Sequence, residues 1–438
     1  MIKRTLGKIA PLFSILILIL TGAETAPAAQ YRFWLHDKIR FPYTIYGSDT
    51  TGGSDCWGWT APDGTEYAIM GVRDGIAIVN AQTMEVKAVV PGPQTPASYY
   101  WRDVETYQHY AYAVSELSGT NQGLSVIDLQ YLPDSVHFVG SFPTNLSGNY
   151  TAHTIAIDTA KGFAYCERNG GLGQPIVILS LANPEAPVFV GSFGPSTGQS
   201  IHDMYARNDT VFVAEGWDAS SVGSWSVWDC ANKVSPALIT RVFFPGAGYV
   251  HSTWPTEDRN WLLTTEEIPA GKTMKLWDIA DLGNIDMRGQ YIGAAQIPHN
   301  VYPKGNLVFV SHYEAGVTVV DISNRDTLVE VARYDTYPAS DLPNYRGCWS
   351  AYPYTSTGFV YASNLDGWLF VLRFGLRGDL NFDMTLTAAD IVLTLNCAFQ
   401  GIGDCPLEIA DGNCDGGLSG ADIVLLLKAV FLEEPFPC

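Results

Sequence analysis

The chain has 438 residues, with 45 acidic residues against 25 Lys and Arg, 47% hydrophobic residues and 12% aromatic residues. This length allows two or three domains, and the apolar fraction is too high for a disordered protein. The net charge of -20 argues against a nucleic-acid-binding protein, which needs clustered Lys and Arg, and against docking on an anionic membrane. The 42 Gly and the many aromatics, with few charged residues, indicate a β-rich protein with tight turns.

Residues 1–29 have the pattern of a secretory signal peptide. A basic start precedes an apolar run that ends at Leu20, and a small-residue sequence from Ala26 to Ala28 resembles a cleavage site. The run is too short to span a bilayer, and no later stretch reaches the roughly 20 apolar residues that a span needs. We therefore expect an exported protein with no membrane span.

A short apolar strand, in most copies ending in Asp or a small polar residue, recurs through the middle of the chain. Its copies end at Asn80, Asp128, Ser180, Asp229, Asp278, Asp321 and Leu372. The spacings are 48, 52, 49, 49, 43 and 51 residues, which makes seven units. The third unit shows four short runs rich in Val, Ile, Phe and Tyr, separated by turn residues. Four strands in a unit of this length predict a propeller blade, so the repeat predicts a seven-bladed β-propeller.

The two ends of the repeat array predict how the ring closes. The seventh unit shows only three strands before the composition changes near Gly375, and the segment from Tyr31 to Tyr46 precedes the first unit. We expect this segment to supply the outer strand of blade seven, because closure removes an exposed sheet edge. The propeller is thus assigned to residues 30–375.

Several strings in this region resemble those of a known bacterial family. The strings are DCWGWT, YWRDVETY, GYVHSTWPTEDRNWLL, IPHNVYPKGN, ARYDTYP and GCWSAYPY. They are similar to the choice-of-anchor B proteins, which carry LVIVD-type repeats, and the resemblance covers about residues 50–373. It implies an exported or surface-displayed propeller with a variable C-terminus, and it brings no established activity.

Aligned units also align two positions near the predicted channel. The first, at the start of each first strand, reads Trp57, Arg102, His153, His202, His251, His299 and Trp349. The second, at the end of each second strand, reads Val72, Glu116, Glu167, Glu215, Glu266, His312 and Asn364. Because the two strands are antiparallel, the start of one lies beside the end of the other. We therefore expect an Arg or His beside a Glu in each middle blade.

Two interpretations of these positions are open. The first is a channel site in which His153, His202, His251 and His299, with acidic neighbours, hold a transition metal, a phosphate or a sugar. The second is structural: a polar pair repeated in several blades satisfies buried strand ends. Repetition favours the structural interpretation, because one active site needs one asymmetric constellation. The candidate channel residues are His153, His202, His251, His299, Arg102, Glu116, Glu167, Glu215, Glu266 and His312.

Residues 376–438 contain two copies of one acidic pattern, which begin at Asp379 and Asp411. Each copy reads Asp-x-Asn-x-Asp with a further Asp at position twelve, and such oxygen ligands suit Ca²⁺, with a backbone carbonyl at position seven. The expected ligands are Asp379, Asn381, Asp383, Thr385 and Asp390 in loop one, and Asp411, Asn413, Asp415, Gly417 and Asp422 in loop two. Apolar spacing after each loop predicts a helix.

This C-terminal region resembles type I dockerin modules. The resemblance implies a small α-helical domain that binds two calcium ions and docks on a cohesin-type protein. Ala388-Ala389 and Gly420-Ala421 stand where hydroxyl residues are often found, so a general cell-surface component is an alternative partner. Met384 occupies position six of loop one, where the tight turn favours Gly, whereas loop two has Gly416. We therefore expect weaker calcium binding in loop one.

The eight cysteines divide evenly between the two regions. Cys56 and Cys348 occupy equivalent positions in blades one and seven, which become neighbours on closure, and a bridge between them is a hypothesis. The four C-terminal cysteines are expected to pair, with their connectivity open. Their positions are Cys397, Cys405, Cys414 and Cys438.

Two functions remain in view. The chain has no HExxH, CxxC, GxSxG, P-loop or GxGxxG motif. A carboxylate pair for glycoside cleavage depends on distance in space rather than on sequence spacing, so an enzyme stays open. We favour a non-catalytic binding or scaffold protein, and the alternative is an enzyme that degrades extracellular polysaccharide and is carried by the same module. Carbohydrate is a candidate ligand because Trp and Tyr stack on sugar rings, although in a propeller most of these side chains are more simply explained by core and inter-blade packing.

Overall fold

The structure, a computed structural model, describes residues 31–46, 49–94, 101–144, 151–167, 175–194, 198–403 and 405–437. The expected signal segment lies outside these residues. The described chain folds into seven four-stranded antiparallel sheets and a two-stranded hairpin, followed by three helices. The seven sheets are the blades of a mainly β fold, which confirms the predicted seven-bladed β-propeller; the calcium-binding, dockerin-like character of the helical region stays a prediction.

In blades one to six, the four strands follow one another in chain order from the channel to the outer edge. Blade one contains β4 Gly53–Thr60, β5 Glu66–Val72, β6 Gly75–Asn80 and β7 Val86–Pro91. Blade two contains β8 Arg102–Tyr107, β9 Tyr110–Ser115, β10 Leu124–Asp128 and β11 His137–Phe142. Blade three contains β12 Thr154–Asp158, β13 Phe163–Glu167, β14 Ile176–Ser180 and β15 Val188–Phe193. Blade four contains β16 Asp203–Arg207, β17 Thr210–Glu215, β18 Ser224–Asp229 and β19 Ala237–Phe243.

The remaining blades have the same order. Blade five contains β20 Val250–Pro255, β21 Trp261–Glu266, β22 Met274–Asp278 and β23 Asp286–Tyr291. Blade six contains β24 Val301–Lys304, β25 Leu307–Ser311, β26 Val317–Asp321 and β27 Val329–Tyr334. Blade seven contains β28 Cys348–Tyr352, β29 Phe359–Asn364 and β30 Trp368–Leu376, with β1 Tyr31–Arg40 outside them. The hairpin consists of β2 Thr44–Tyr46 and β3 Asp49–Thr51.

The core lies between the blades. Every residue of β5 and of β9 is buried, whereas the outer strand β7 is largely exposed or half-buried. Strands covered on both faces become almost continuously apolar, because each face packs on a neighbouring blade. Seven hydrophobic clusters fill the seven interfaces of the ring, including the interface between blades seven and one.

The recurring Asp has a local structural cause. At the end of β18, β22 and β26, the carboxylates of Asp229, Asp278 and Asp321 each accept the backbone N–H two residues later, at 2.7–3.2 Å. The amide oxygen of Asn80 accepts in the same way after β6. These side chains start the turn to the outer strand, which is why Asp, Asn or Ser ends the third strand of six units.

The ring closes as predicted. Strand β1 pairs antiparallel with β30, with Tyr31 opposite Leu376 and Arg40 opposite Trp368. The ring of Phe33 packs on the rings of Phe374, at 4.9 Å, and Phe309, at 6.4 Å, which anchors the N-terminal strand in the blade six and seven interface. The closing strand thus covers the edge of β30 that blade seven alone would leave open.

The C-terminal region forms three helices, α1 Ala388–Gln400, α2 Leu407–Ala410 and α3 Gly420–Leu432. Thr387 and Ser419 are the N-caps of α1 and α3, and each forms a capping box with the Asp three residues later. No described helix is long and apolar enough to cross a membrane. The region packs on blade seven, since Phe382 lies over Gly358 and Trp34 of β1 packs against Leu380 and Ile409.

The cysteine pairing agrees with expectation in the C-terminal region only. Cys397 is bonded to Cys405 and Cys414 is also in a disulfide, while Cys438 lies outside the described residues. The proposed Cys56–Cys348 bridge is wrong, since both thiols are free and buried. The two are neighbours, as closure requires, but each Sγ faces the backbone carbonyl of Ser350, at 3.8 and 3.4 Å, rather than the other sulfur.

Candidate functional site

Four histidines line the channel next to one another, as the repeat alignment predicted. His153, His202, His251 and His299 stand at the channel ends of the first strands of blades three to six, and all four are at most 7% exposed. Successive ring centroids are 4.7, 3.8 and 4.0 Å apart. The propeller therefore converts a sequence period of about 49 residues into one continuous arc of imidazoles.

Three of these histidines are held by the backbone of the next blade. Nδ1 of His202 lies 3.0 Å from the carbonyl oxygen of His251, and Nδ1 of His251 lies 3.1 Å from that of His299. Nδ1 of His299 in turn lies 2.6 Å from the carbonyl oxygen of Trp349. A carbonyl only accepts, so each Nδ1 carries the hydrogen and each Nε2 keeps a lone pair.

These three imidazoles are neutral at physiological pH. Burial lowers the pKa of His202 and of His251 well below the ordinary value, and the neighbouring histidines lower both further. Burial lowers the pKa of His299 to about 3. The arc thus presents uncharged nitrogen lone pairs, which accept hydrogen bonds or bind metal ions.

His153 differs because it has an acidic partner. Its Nδ1 lies 3.0 Å from Oε1 of Glu116, which reaches across from blade two. Burial disfavours the charged imidazole, but the hydrogen bond and the charge of Glu116, with smaller effects of Asp103 and Asp203, outweigh it and raise the pKa of His153. The expected His–Glu pair therefore exists here, between blades rather than within one.

Two other expected acidic partners, Glu215 and Glu266, bind cations instead of the histidines. The carboxylate of Glu215 is buried and binds Arg241 of β19 and Ser226 of β18, with Arg241 Nε 2.7 Å from Oε2. Glu266 binds Lys275 of β22. Both glutamates lie opposite the strand start, as the antiparallel register requires, but cationic partners further out in the blade draw their side chains away from the channel.

The three remaining candidate residues, Arg102, Glu167 and His312, have different surroundings. The guanidinium of Arg102 is buried and donates to the carbonyl of Val72, at 2.8 Å, and to Ser115 Oγ, at 3.1 Å, so it ties blades one and two together. Glu167 is buried, with no partner for Oε1 among the described residues. Burial, with a smaller effect of Arg333, lowers the pKa of His312 to about 3, and this ring does not line the channel cavity.

Blade one does not follow the predicted alignment. The hydroxyl of Ser54, not the ring of Trp57, stands beside the backbone N–H of Arg102, at 3.1 Å. Ser54 is therefore the blade-one equivalent of the histidines, and Trp57 lies three residues deeper in the channel. The pairing of β4 with β5 shifts register between Gly53 and Cys56, as the pairing of β20 with β21 does between Val250 and Thr253, so Ser54 corresponds to His251.

A layer of carboxylates lies below the histidines and was not predicted from the sequence. Asp55, Asp103 and Asp203 each follow the ring position directly, so the repeat alignment contained the signal one residue further on. Asp103 Oδ2 accepts the N–H of Ile155 at 2.7 Å, and Asp55 Oδ2 accepts that of Val104 at 3.2 Å. Desolvation in the channel raises the pKa of Asp55 and of Asp203 to about 7, and that of Asp103 well above its ordinary value.

Aromatic side chains form the next layer. Trp254 is central to it, with its ring centroid 4.7 Å from that of Tyr205, 5.4 Å from Tyr302 and 6.2 Å from Trp57. The rings of Trp57, Tyr205 and Trp254 border a cavity of about 580 Å³ at this end of the channel. Glu105 lines the same cavity, and desolvation followed by the charge of Asp103 raises its pKa well above the ordinary value.

A second acidic residue missed from the sequence is Glu267, which follows β21. Its Oε2 lies 3.9 Å from Nε2 of His251, and its Oε1 accepts the hydroxyl of Tyr313 at 2.6 Å. Burial raises the pKa of Glu267 to about 7. The adjacent Glu266 aligns with Glu215 and Glu167 in the repeat, but adjacent residues of an extended chain point to opposite faces, so the two glutamates diverge.

The two acidic loops share one hydrogen-bond pattern. Asp379 accepts the N–H of Asp383 at 3.2 Å and of Met384 at 2.9 Å, and Asp411 accepts those of Asp415 and Gly416 at 3.3 and 2.8 Å. In both loops the last Asp accepts the N–H that follows the first Asp, at 3.0 Å. Met384 has a φ of 68° and Gly416 a φ of 88°, so the same turn strains only loop one.

Comparison with known proteins supports the repeat and the fold. The LVIVD repeat family model matches residues 298–336, which contain blade six. No curated protein matches the chain. The structure is similar to Kuenenia stuttgartiensis Hydrazine Synthase, with 15% identity, a TM-score of 0.52, and coverage of 75% of this chain and 97% of that chain.

A second similar structure is Chaetomium thermophilum Raptor, with 12% identity and a TM-score of 0.55 over 77% of this chain. This chain covers 29% of the Raptor chain. At these identities the two likenesses show the fold alone. The chain is thus a seven-bladed β-propeller with an LVIVD repeat.

Proposed function

We propose that the protein is a secreted, non-catalytic β-propeller of the choice-of-anchor B type, attached to an extracellular complex or cell surface by a calcium-dependent dockerin-like module. The observation that carries this proposal is a duplicated apolar face on the two long C-terminal helices. The channel of the propeller offers a polar, aromatic-bordered recess for a ligand, and the helical module offers the means of attachment.

The duplicated face consists of three exposed residues on each helix. Helix α1 exposes Val392, Leu395 and Phe399, and helix α3 exposes Val424, Leu427 and Phe431. Phe399 is 70% exposed and Phe431 is 65% exposed. Single exposed apolar residues are common, but matching sets on two contacting helices are typical of a protein-docking surface.

The opposite sides of the same two helices form the core of the module, which leaves the duplicated apolar face exposed. Ile391, Ile423 and Leu426 form the small core between α1 and α3. A thirteen-residue helix with apolar residues on both sides is expected where one side packs inward and the other binds a partner. This supports a cohesin-type domain as the occupant, as the resemblance to dockerins implies, in preference to a carbohydrate surface.

Calcium fits the residues of both loops. Asp379 and Asp390 are completely buried and Asp422 is 1% exposed, so each loop contains carboxylates with little access to water. Burial raises the pKa of Asp379 to about 6, and the neighbouring carboxylates of Asp390 and Asp383 contribute to the increase. A bound divalent cation would offset this repulsion and supply the rigidity that positions α1 and α3. The expected ligands are those named from the sequence, with the backbone carbonyls of Thr385 and Gly417 at position seven.

A calorimetric titration with purified cohesin-type domains tests the attachment. We expect binding in calcium, loss of binding after EDTA treatment, and loss of binding in the double variant Phe399→Asp, Phe431→Asp. Ile45→Asp is the matched control, because Ile45 is also an apolar residue, 69% exposed, on the propeller hairpin. If cohesin-type domains do not bind the protein, or bind the double variant equally well, the result would count against the proposal. Sedimentation of the protein alone shows whether the face instead binds a second copy.

The cavity beside Trp254 favours a second candidate function, an enzyme acting on polysaccharide. Its aromatic border suits sugar rings, Glu105 has the raised pKa of a general acid, and Glu257 lines the same cavity. Activity on a polysaccharide panel that is abolished by Glu105→Gln or Glu257→Gln, but not by Asp63→Asn in an exposed turn, would support it. Activity that survives both replacements would exclude these carboxylates as the catalytic pair.

A further inference from the structure

We propose that His251, Glu267 and His299 bind a divalent transition-metal ion of the zinc class at the wall of the propeller channel. The site lies between blades five and six and is independent of the calcium loops. It also requires neither of the functions proposed above, because it depends only on side chains of the propeller.

The three side chains present a converging donor set. One ligand atom from each residue lies within 4.8 Å of the other two, and Nε2 of His251 is 3.9 Å from Oε2 of Glu267. Two donors of a tetrahedral zinc ion, each about 2.1 Å from the metal, are about 3.4 Å apart. Side-chain rotations that shorten the gaps by about 0.5–1.4 Å therefore bring the donors to metal-binding distances.

The two histidine nitrogens that face the proposed metal position carry free lone pairs. The Nδ1 atoms of His251 and His299 donate to backbone carbonyls, so both Nε2 atoms keep their lone pairs. Nε2 of His299 is buried and has no hydrogen-bond partner among the described residues. A buried acceptor left unsatisfied costs about 1–3 kcal/mol, so this atom points to a ligand that belongs in the site.

The surrounding residues hold the donors in place. The hydroxyl of Tyr313 donates to Oε1 of Glu267 at 2.6 Å, which leaves Oε2 on the side of His251. The rings of Tyr313 and Trp349 lie 4.7 and 4.5 Å from that of His299 and cover it from solvent. Backbone carbonyls on the histidines and a hydroxyl on the carboxylate are the outer contacts that orient ligands in protein metal sites.

Two imidazoles and one carboxylate leave a coordination position open. Structural zinc sites use four protein ligands, whereas three protein ligands with an open position are typical of sites that bind water or a substrate. The ring of His202 lies next to that of His251, with the two centroids 3.8 Å apart. The metal would therefore give the channel a position for an anionic or oxygen-containing ligand.

Titration of the full-length, calcium-saturated protein with Co²⁺ tests the site, because Co²⁺ replaces Zn²⁺ and has visible absorption bands. We expect one bound equivalent with the bands of a four- or five-coordinate ion, and competition by Zn²⁺. His299→Asn and Glu267→Gln should abolish these bands. Tyr313→Phe should weaken Co²⁺ binding about 10- to 100-fold, because it removes only the contact that orients Glu267.

A matched control is His109→Asn, which alters a half-exposed histidine paired with Asp128 at 2.8 Å outside the channel. This variant should bind Co²⁺ as the unaltered protein does, as should Asp379→Asn in the calcium loop. Glu267→Gln keeps the side-chain volume, so it decides the question even where His299→Asn fails to fold. An unaltered protein that takes up no stoichiometric Co²⁺, or a Glu267→Gln variant that keeps the bands, would overturn the proposal.

Discussion

Oε1 of Glu116 lies 3.0 Å from Nδ1 of His153, and this contact joins blade two to blade three at the channel. It gives one histidine of the arc a raised pKa, while burial lowers the pKa of the other three. The two behaviours arise at positions that are equivalent in the repeat, so the surroundings contributed by each neighbouring blade decide the charge.

The contact predicts a pH-dependent contribution to stability. Because the pKa of His153 is raised in the folded state, the contribution is complete below the ordinary His pKa of about 6.5 and is lost as pH rises through the raised value. Glu116→Gln should therefore lower the free energy of unfolding by about 1 kcal/mol at pH 6, with the deficit disappearing at pH 9. Guanidinium denaturation at several pH values measures the difference. Glu85→Gln, which alters an exposed carboxylate beside Lys87, should show no such pH dependence.

In the carboxylate layer, replacing an acid by an amide should raise the free energy of unfolding instead of lowering it. The pKa of Asp55 is raised to about 7, so its stabilising contribution is lost as pH rises from about 4 to 7. Asp55→Asn should be more stable than the unaltered protein above pH 7, because the amide imitates the protonated acid and its oxygen still accepts the N–H of Val104. Denaturation curves at pH 5 and pH 8 check this, and a variant that is less stable at both pH values would contradict it.

The four propeller thiols should be protected until the protein unfolds. Cys56, Cys166, Cys230 and Cys348 are buried, and burial raises the pKa of each thiol above its ordinary value. Because the thiolate is the reactive form, alkylation should be slow in native buffer and complete in guanidinium. Peptide mass mapping after alkylation measures it. A disulfide between Cys56 and Cys348 in the native protein would show that the described thiol geometry is wrong.

The calcium loops should differ in affinity. Loop one places Met384 at a φ of 68°, where a side chain is strained, and loop two places Gly416 at a φ of 88°. We expect two calcium sites in calorimetry, with Asp379→Asn removing the weaker and Asp411→Asn the tighter. Met384→Gly should strengthen the weaker site, because relief of the left-handed backbone conformation contributes about 1 kcal/mol. Equal loss of both sites in either Asp variant would contradict independent loops.

Repeat spacing was enough to predict the ring, its closing strand and the arc of histidines. A four-strand unit that recurs every 43–52 residues places equivalent residues around one channel, so positions that align along the chain lie close together in space. Asp379 and Asp411 were found in the same way, from a duplicated local pattern.

Predictions that depended on the direction in which a side chain points were wrong, and one channel-facing carboxylate was not predicted at all. Glu215 and Glu266 were expected to face the histidines, but their cationic partners lie further out in the blade, and Glu267 occupies the channel side instead. Ser54, three residues before Trp57, stands at the ring position of blade one, where its hydroxyl meets the N–H of Arg102. The Cys56–Cys348 bridge failed because neighbouring positions do not determine where two sulfur atoms point.

By itself, the sequence determined the number of blades, the turn-forming Asp residues and the paired acidic loops, because these depend on local patterns that repeat. Only the tertiary structure decided which carboxylates meet the imidazoles, which histidine is charged and which helix faces stay exposed. These properties depend on contacts between blades and between helices, and the contacts of the histidine arc join residues 37–50 positions apart in the chain.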